Sequence, residues 1–124
     1  MFEVQLDGQF EASHGIRLAD GGYETPHRHG WTVQVTVRGA HTDPMGLLID
    51  FNWLRQMLDA AIGTLRDADL NEHPVLGPIN PTAEHVARYI AEQLRPKLPL
   101  HVHLICVTVG EAAGCRASYV CDRT

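Results

Sequence analysis

The chain has 124 residues, enough for one domain around one core, with 44% hydrophobic residues and a formal net charge of −5. It has no lysine or arginine cluster and no apolar run near the ~20 residues of a membrane span, which excludes nucleic acid and membrane as expected partners. Three cysteines without CxxC spacing, and a start that lacks the basic and apolar regions of a signal peptide, point to the cytoplasm as the expected location.

Residues 2–14 alternate. Phe2, Val4, Leu6, Phe10, Ala12 and His14 share one parity, against Glu3, Gln5, Asp7, Gln9, Glu11 and Ser13. Successive strand residues point to opposite faces, so the segment predicts a strand whose apolar face ends in histidine. Residues 15–26 carry loop chemistry in Gly21-Gly22 and Pro26. Residues 27–38 alternate again, with His27, His29, Trp31, Val33, Val35 and Val37 on one face. Asp43-Pro44 and Gly46 mark a turn, and Asp50 is placed to cap a helix. Leu54, Leu58, Ala61, Ile62 and Leu65 follow at helical spacing, and Phe51 extends that stripe.

Residues 67–77 read as irregular. Asn80 then serves as the cap of a second helix with Pro81 in its first position, and Ala83, Val86, Ala87, Ile90 and Leu94 face inward. Pro96 and Pro99 end it. Residues 101–109 and 113–121 alternate as a third and fourth strand, joined by a hairpin-like connection. The order β-β-α-α-β-β predicts an α+β domain over residues 1–124, an antiparallel four-stranded sheet with two helices on one face. Such a sheet has two edges, and edge-to-edge oligomerisation would cover them.

Both strands place histidine at one end of their apolar face. An unpaired buried polar group costs about 1–3 kcal/mol, so these rings need a function. His27 and His29 lie about 6–7 Å apart on one strand face. His14 joins them if the two strands form an antiparallel pair. Three neutral imidazoles with an open fourth position form the ligand set of a catalytic zinc. His41, His73, His85, His101 and His103 have no such phase. Glu111 shares parity with Ile105, Val107 and Val109, so its carboxylate faces the apolar side. Its partner there is a planar ligand with two N–H donors or an arginine at a strand end. Glu24, three residues before His27, is either a general acid or base or an exposed loop residue. Asp67 carries the same pair of readings.

Phe10-Glu11-Ala12-Ser13-His14, His27-Arg28-His29-Gly30, Gly46-Leu47-Leu48-Ile49-Asp50-Phe51, Asn80-Pro81-Thr82-Ala83-Glu84 and Val109-Gly110-Glu111 followed by Tyr119 occur in an order and spacing. This pattern resembles the 6-pyruvoyltetrahydropterin synthase and 6-carboxytetrahydropterin synthase family across nearly the whole chain. The resemblance implies the tunnelling fold, in which three units form a barrel and two barrels stack as a homohexamer with sites between subunits. It implies Zn2+ on His14, His27 and His29, a pterin anchored by Glu111, and Thr82 and Glu84 near that pterin. The implied substrate is 7,8-dihydroneopterin triphosphate.

The chain also departs from the family. Tyr23, Glu24, Thr25 and Pro26 fill the stretch that holds the family's catalytic cysteine, and no cysteine precedes Cys106. Arg66 and Asp67 stand in place of an Asp-His pair, and Arg28 in place of a glycine. Glu24-Thr25-Pro26-His27-Arg28-His29 is similar to a variant class with Glu-x-x-His-x-His, associated with side-chain cleavage to 6-hydroxymethyl-7,8-dihydropterin. That resemblance implies a lyase with Glu24 as acid and base, helped by Asp67 or His73. The alternatives are formation of a pyruvoyl- or carboxy-tetrahydropterin by another proton relay, or a pterin-binding protein without turnover.

Overall fold

β1 (Phe2–His14) and β2 (His27–Gly39) form where the two alternating segments predict them. They pair antiparallel, with His14 opposite His27 and Ala12 opposite His29. β3 (His103–Ala112) and β4 (Cys115–Val120) complete an antiparallel sheet in the order β1-β2-β3-β4. This computed structural model describes residues 1–121; positions 122–124 of the expected unit lie outside the described residues. Leu6, Phe10, Trp31, Val33, Val35 and Val107 are buried on one face of the sheet. The other parity of β1 is exposed, so the α+β expectation of helices on one face holds.

α1 (Phe51–Ile62) starts as expected, with the Asp50 carboxylate accepting from the Asn52 N–H at 2.8 Å. Leu54, Leu58, Ala61 and Ile62 are buried. Phe51 departs from the expected stripe and is 54% exposed. As the first helical residue it has its Cβ tilted back toward the helix N-terminus, past the end of the core.

A single helical turn, α2 (Leu76–Ile79), ends the stretch expected to be irregular, and α3 (Ala83–Leu94) follows. The cap of α3 is Thr82, whose Oγ1 accepts from the His85 N–H at 3.2 Å. Asn80 was expected there, but its carboxamide is engaged with Arg17. α3 lies on β3 and β4, α1 on β1 and α3, and a 3-10 turn at Arg95–Lys97 closes the helical layer. No helix among the described residues is long and apolar enough to cross a membrane.

β3 runs three residues further than its alternation suggests. Its pairing with β4 shifts between Gly110 and Ala112, which leaves Glu111 as an extra residue. Such a bulge leaves its extra residue unpaired and bends the strand locally. Gly114, at φ +81, makes the turn into β4. Beside β1, residues 67–70 add a short parallel stretch. Ser13 N–H donates to Ala68 O at 3.0 Å and Leu70 N–H to Ser13 O at 2.8 Å. That stretch covers the edge of β1 only at its histidine end.

Candidate metal centre

The β1–β2 register brings three rings together at the end of the buried face. The ring centroids of His14 and His27 are 4.8 Å apart, those of His14 and His29 5.3 Å, and those of His27 and His29 4.1 Å. One nitrogen from each ring lies within 4.8 Å of the others. The cross-strand pair supplies two of these ligands, and the i, i+2 spacing on β2 supplies the third.

Hydrogen bonds set which nitrogen each ring offers. His14 Nδ1–H donates to Pro81 O at 2.7 Å, which leaves Nε2 as the free acceptor. His27 Nδ1–H donates to Thr25 O at 3.1 Å, with the same consequence. The Nε2 atoms of His14 and His29 are buried without a hydrogen-bond partner. Burial, with His27 and His14 close by, holds the His29 ring below its ordinary value of 6.5. Imidazoles with converging free nitrogens, two of them fixed on their far side by backbone carbonyls, suit a divalent metal. The donor set therefore fits a bound zinc.

Trp31 closes the back of the centre. Its ring packs edge-on against His14 at 4.8 Å and His29 at 5.9 Å, and its Nε1–H donates to Ala12 O at 3.3 Å. Glu111, in phase with the buried Val107 and Val109, places Oε2 at 3.3 Å from His14 Nε2 without forming a hydrogen bond. Glu24 sits half-buried on the loop between β1 and β2, where its Oε1 accepts from the Ile16 N–H at 3.3 Å. The charges of Glu111 and Glu24 both act on the His29 ring.

The other candidate residues lie elsewhere. The Asp67 carboxylate accepts from Arg28 Nη2 at 2.6 Å, on the sheet face opposite the histidines. Asp67 itself has φ +59, in the left-handed region. His73 is buried under α2. Its Nδ1 accepts from the Val75 and Leu76 N–H groups at 3.1 and 3.3 Å. Its Nε2–H donates to Thr64 Oγ1 at 3.2 Å, and Thr64 in turn pairs with the Tyr89 hydroxyl at 3.0 Å. Burial keeps the His73 ring below its ordinary value of 6.5. Thr82 is occupied in capping α3, and Glu84 is exposed in its first turn. Their block reaches the centre through the neighbouring Pro81 carbonyl.

Sequence reasoning missed Pro81 and Trp31 as parts of the site's frame, and the Arg28–Asp67 pair on the opposite face. Trp31 shared the histidines' parity, which was a usable signal. A backbone carbonyl from 67 residues away leaves no mark in the sequence.

Residues 3–121 match the model of the family described as 6-pyruvoyl tetrahydropterin synthase. A dihydroneopterin monophosphate aldolase of Pyrococcus furiosus is 30% identical, over 77% of this chain and 76% of that one. A 6-carboxy-5,6,7,8-tetrahydropterin synthase of Bacillus subtilis is also 30% identical, over 78% of this chain and 68% of that one. The structure of Caenorhabditis elegans 6-pyruvoyl tetrahydropterin synthase superposes with a TM-score of 0.84 at 20% identity, covering 98% of this chain and 96% of that one.

Proposed function

This chain belongs to the 6-pyruvoyl tetrahydropterin synthase family, and from that premise we propose that it is a zinc-dependent pterin lyase that cleaves the side chain of 7,8-dihydroneopterin triphosphate or its monophosphate. The product is 6-hydroxymethyl-7,8-dihydropterin. The observation that carries this reading is the half-buried Glu24 carboxylate, held on the loop that leads into His27, where the family's thiol is missing. The similarity to a dihydroneopterin monophosphate aldolase supports it.

His14, His27 and His29 would hold the zinc. A divalent ion there supplies Lewis-acid polarisation of the side-chain oxygens. The chain's own residues handle the proton and the ring. Glu24 takes the proton from the hydroxyl on the second side-chain carbon. The bond between the first and second side-chain carbons breaks, and the second becomes an aldehyde that leaves with the phosphate. Its electron pair remains on the first carbon, to which Glu24 returns the proton. One carboxylate thus serves as base and then as acid. Glu111 receives the paired N–H donors of the pterin edge. Thr82 and Glu84 would complete the pterin pocket, while Asp67, paired with Arg28, and His73, bonded to Thr64, Val75 and Leu76, take no part in the proton transfer.

The functional unit is a homohexamer of single-domain chains, working in the cytoplasm. Residues 2–9 of β1 and the outer side of β4, the two ends of the sheet, support edge-to-edge assembly. Three free cysteines support a reducing compartment.

The test is to incubate zinc-loaded protein with dihydroneopterin triphosphate or monophosphate and separate the pterins by chromatography. The expected result is 6-hydroxymethyl-7,8-dihydropterin, with the rate falling about 10²- to 10⁴-fold in Glu24→Ala. A pyruvoyl- or carboxy-tetrahydropterin product would overturn the cleavage assignment. A Glu24→Ala protein as fast as wild type would overturn the role of Glu24.

A further inference from the structure

The loop that carries Glu24 folds back on itself. Glu24 N–H donates to Ile16 O at 2.9 Å and Leu18 N–H to Gly22 O at 2.7 Å, with Arg17 bridged to Tyr23. This hairpin uses the backbone groups of residues 16 and 18. Those of Gly15 and Arg17 point to the other side, where no strand of the described residues lies beside them. Two asparagine side chains take that place. Gly15 N–H donates to Asn71 Oδ1 at 2.8 Å, and Asn71 Nδ2 donates to Gly15 O at 2.7 Å. Arg17 N–H donates to Asn80 Oδ1 at 2.7 Å, and Asn80 Nδ2 donates to Arg17 O at 3.1 Å.

A carboxamide offers one acceptor and a donor, as a peptide group does, so the pair mimics a neighbouring strand. Aspartate at either position keeps the acceptor and loses the donor. Asn80 adopts φ +80, a conformation that asparagine tolerates better than most residues. Its successor, Pro81, gives the carbonyl that orients His14. One short segment therefore fixes both the loop of Glu24 and a ring of the metal centre. Neither asparagine side chain bonds a histidine of the centre or the Glu24 carboxylate.

We infer that Asn71 and Asn80 are positioning residues that hold residues 15–17 in place and so set the Glu24 carboxylate against the histidine centre. This rests on the lyase reading above. Displacing a catalytic group by about 1 Å costs on the order of 10²-fold in rate.

The test uses Asn71→Asp and Asn80→Asp in the zinc-loaded protein, with Asn71→Ser and Asn80→Ser should an aspartate variant not fold. The expected result is a kcat about 10- to 100-fold lower, with KM for dihydroneopterin phosphate and zinc stoichiometry unchanged. Trypsin cleavage after Arg17, followed by mass spectrometry, is expected to accelerate. Faster cleavage at Arg17 with an unchanged kcat would overturn the inference, because the loop would then be loose without consequence for the reaction. A parallel loss of zinc, substrate binding and kcat would also overturn it, by showing general structural damage. Wild-type activity in Glu24→Ala would reject the lyase reading instead, and the Arg17 cleavage rates would still report whether the asparagines hold the loop.

Discussion

Two kinds of histidine environment occur in this protein, and their hydrogen bonds separate them. His73 has both ring nitrogens engaged by its own chain, with two backbone amides on Nδ1 and the Thr64 hydroxyl on Nε2. The three rings at the end of β1 and β2 are arranged differently. Pro81 and Thr25 occupy the Nδ1 atoms of His14 and His27, and the Nε2 atoms of His14 and His29 have no hydrogen-bond partner. A buried polar atom left unpaired is costly, so a site that keeps two of them adjacent is arranged for something to bind them. Burial marks a histidine as worth explaining, and its unused nitrogen tells whether the explanation is structural or chemical.

The sharpest break in this contrast is His29→Ala. It should abolish zinc retention in equilibrium dialysis and pterin cleavage with it, while the fold persists by circular dichroism. Full zinc stoichiometry in that variant would remove the centre from this chain. His73→Ala should do the reverse. It strands the Val75 and Leu76 amides and is expected to lower unfolding stability by about 1–3 kcal/mol in urea, with zinc stoichiometry unchanged.

Acid should expose the same difference. Burial keeps the folded His73 ring from taking a proton that the unfolded chain accepts at 6.5. The unfolded state then binds more protons, so stability is intact above that pH and declines as pH falls below it. Asp69, Glu72 and Tyr89 line the same cleft. Removing His73 should flatten that decline relative to wild type in pH-dependent urea titrations; an unchanged slope would show that other groups cause it. The smallest effect is expected from Arg28→Ala. Its guanidinium bonds Asp67 on the exposed face of the sheet, and such pairs contribute little. Its melting temperature should move least of the series, and zinc binding should stay unchanged.

The strands and their histidines were legible in the sequence because a two-residue period records which face each side chain takes. His14, His27 and His29 could be grouped from parity and an antiparallel pairing alone. The Asp50 cap was legible because its bond reaches only two residues ahead. The cap of α3 was misread because Asn80-Pro81 has the right local chemistry, while the Asn80 carboxamide is claimed by Arg17, 63 residues away. The extension of β3 to Ala112 was missed because Gly110 and Gly114 read as turn residues, whereas Gly110 pairs with Thr32 and Arg116 inside the sheet. Asp67 and His73 were grouped with the site on sequence position; tertiary bonds carry one to the opposite face and the other beneath α2. Local periodicity is written in the chain, whereas long-range side-chain bonds are visible only once it folds.

Trp31 has one more consequence. Its indole is fully buried and stacked edge-on behind two of the three rings that would grip a metal. Its emission should therefore be blue-shifted, and paramagnetic cobalt or copper taken up by those rings should quench it at short range. The chain has a second tryptophan, Trp53, on α1 as an internal reference. The protein thus carries its own optical gauge of occupancy, readable without any label.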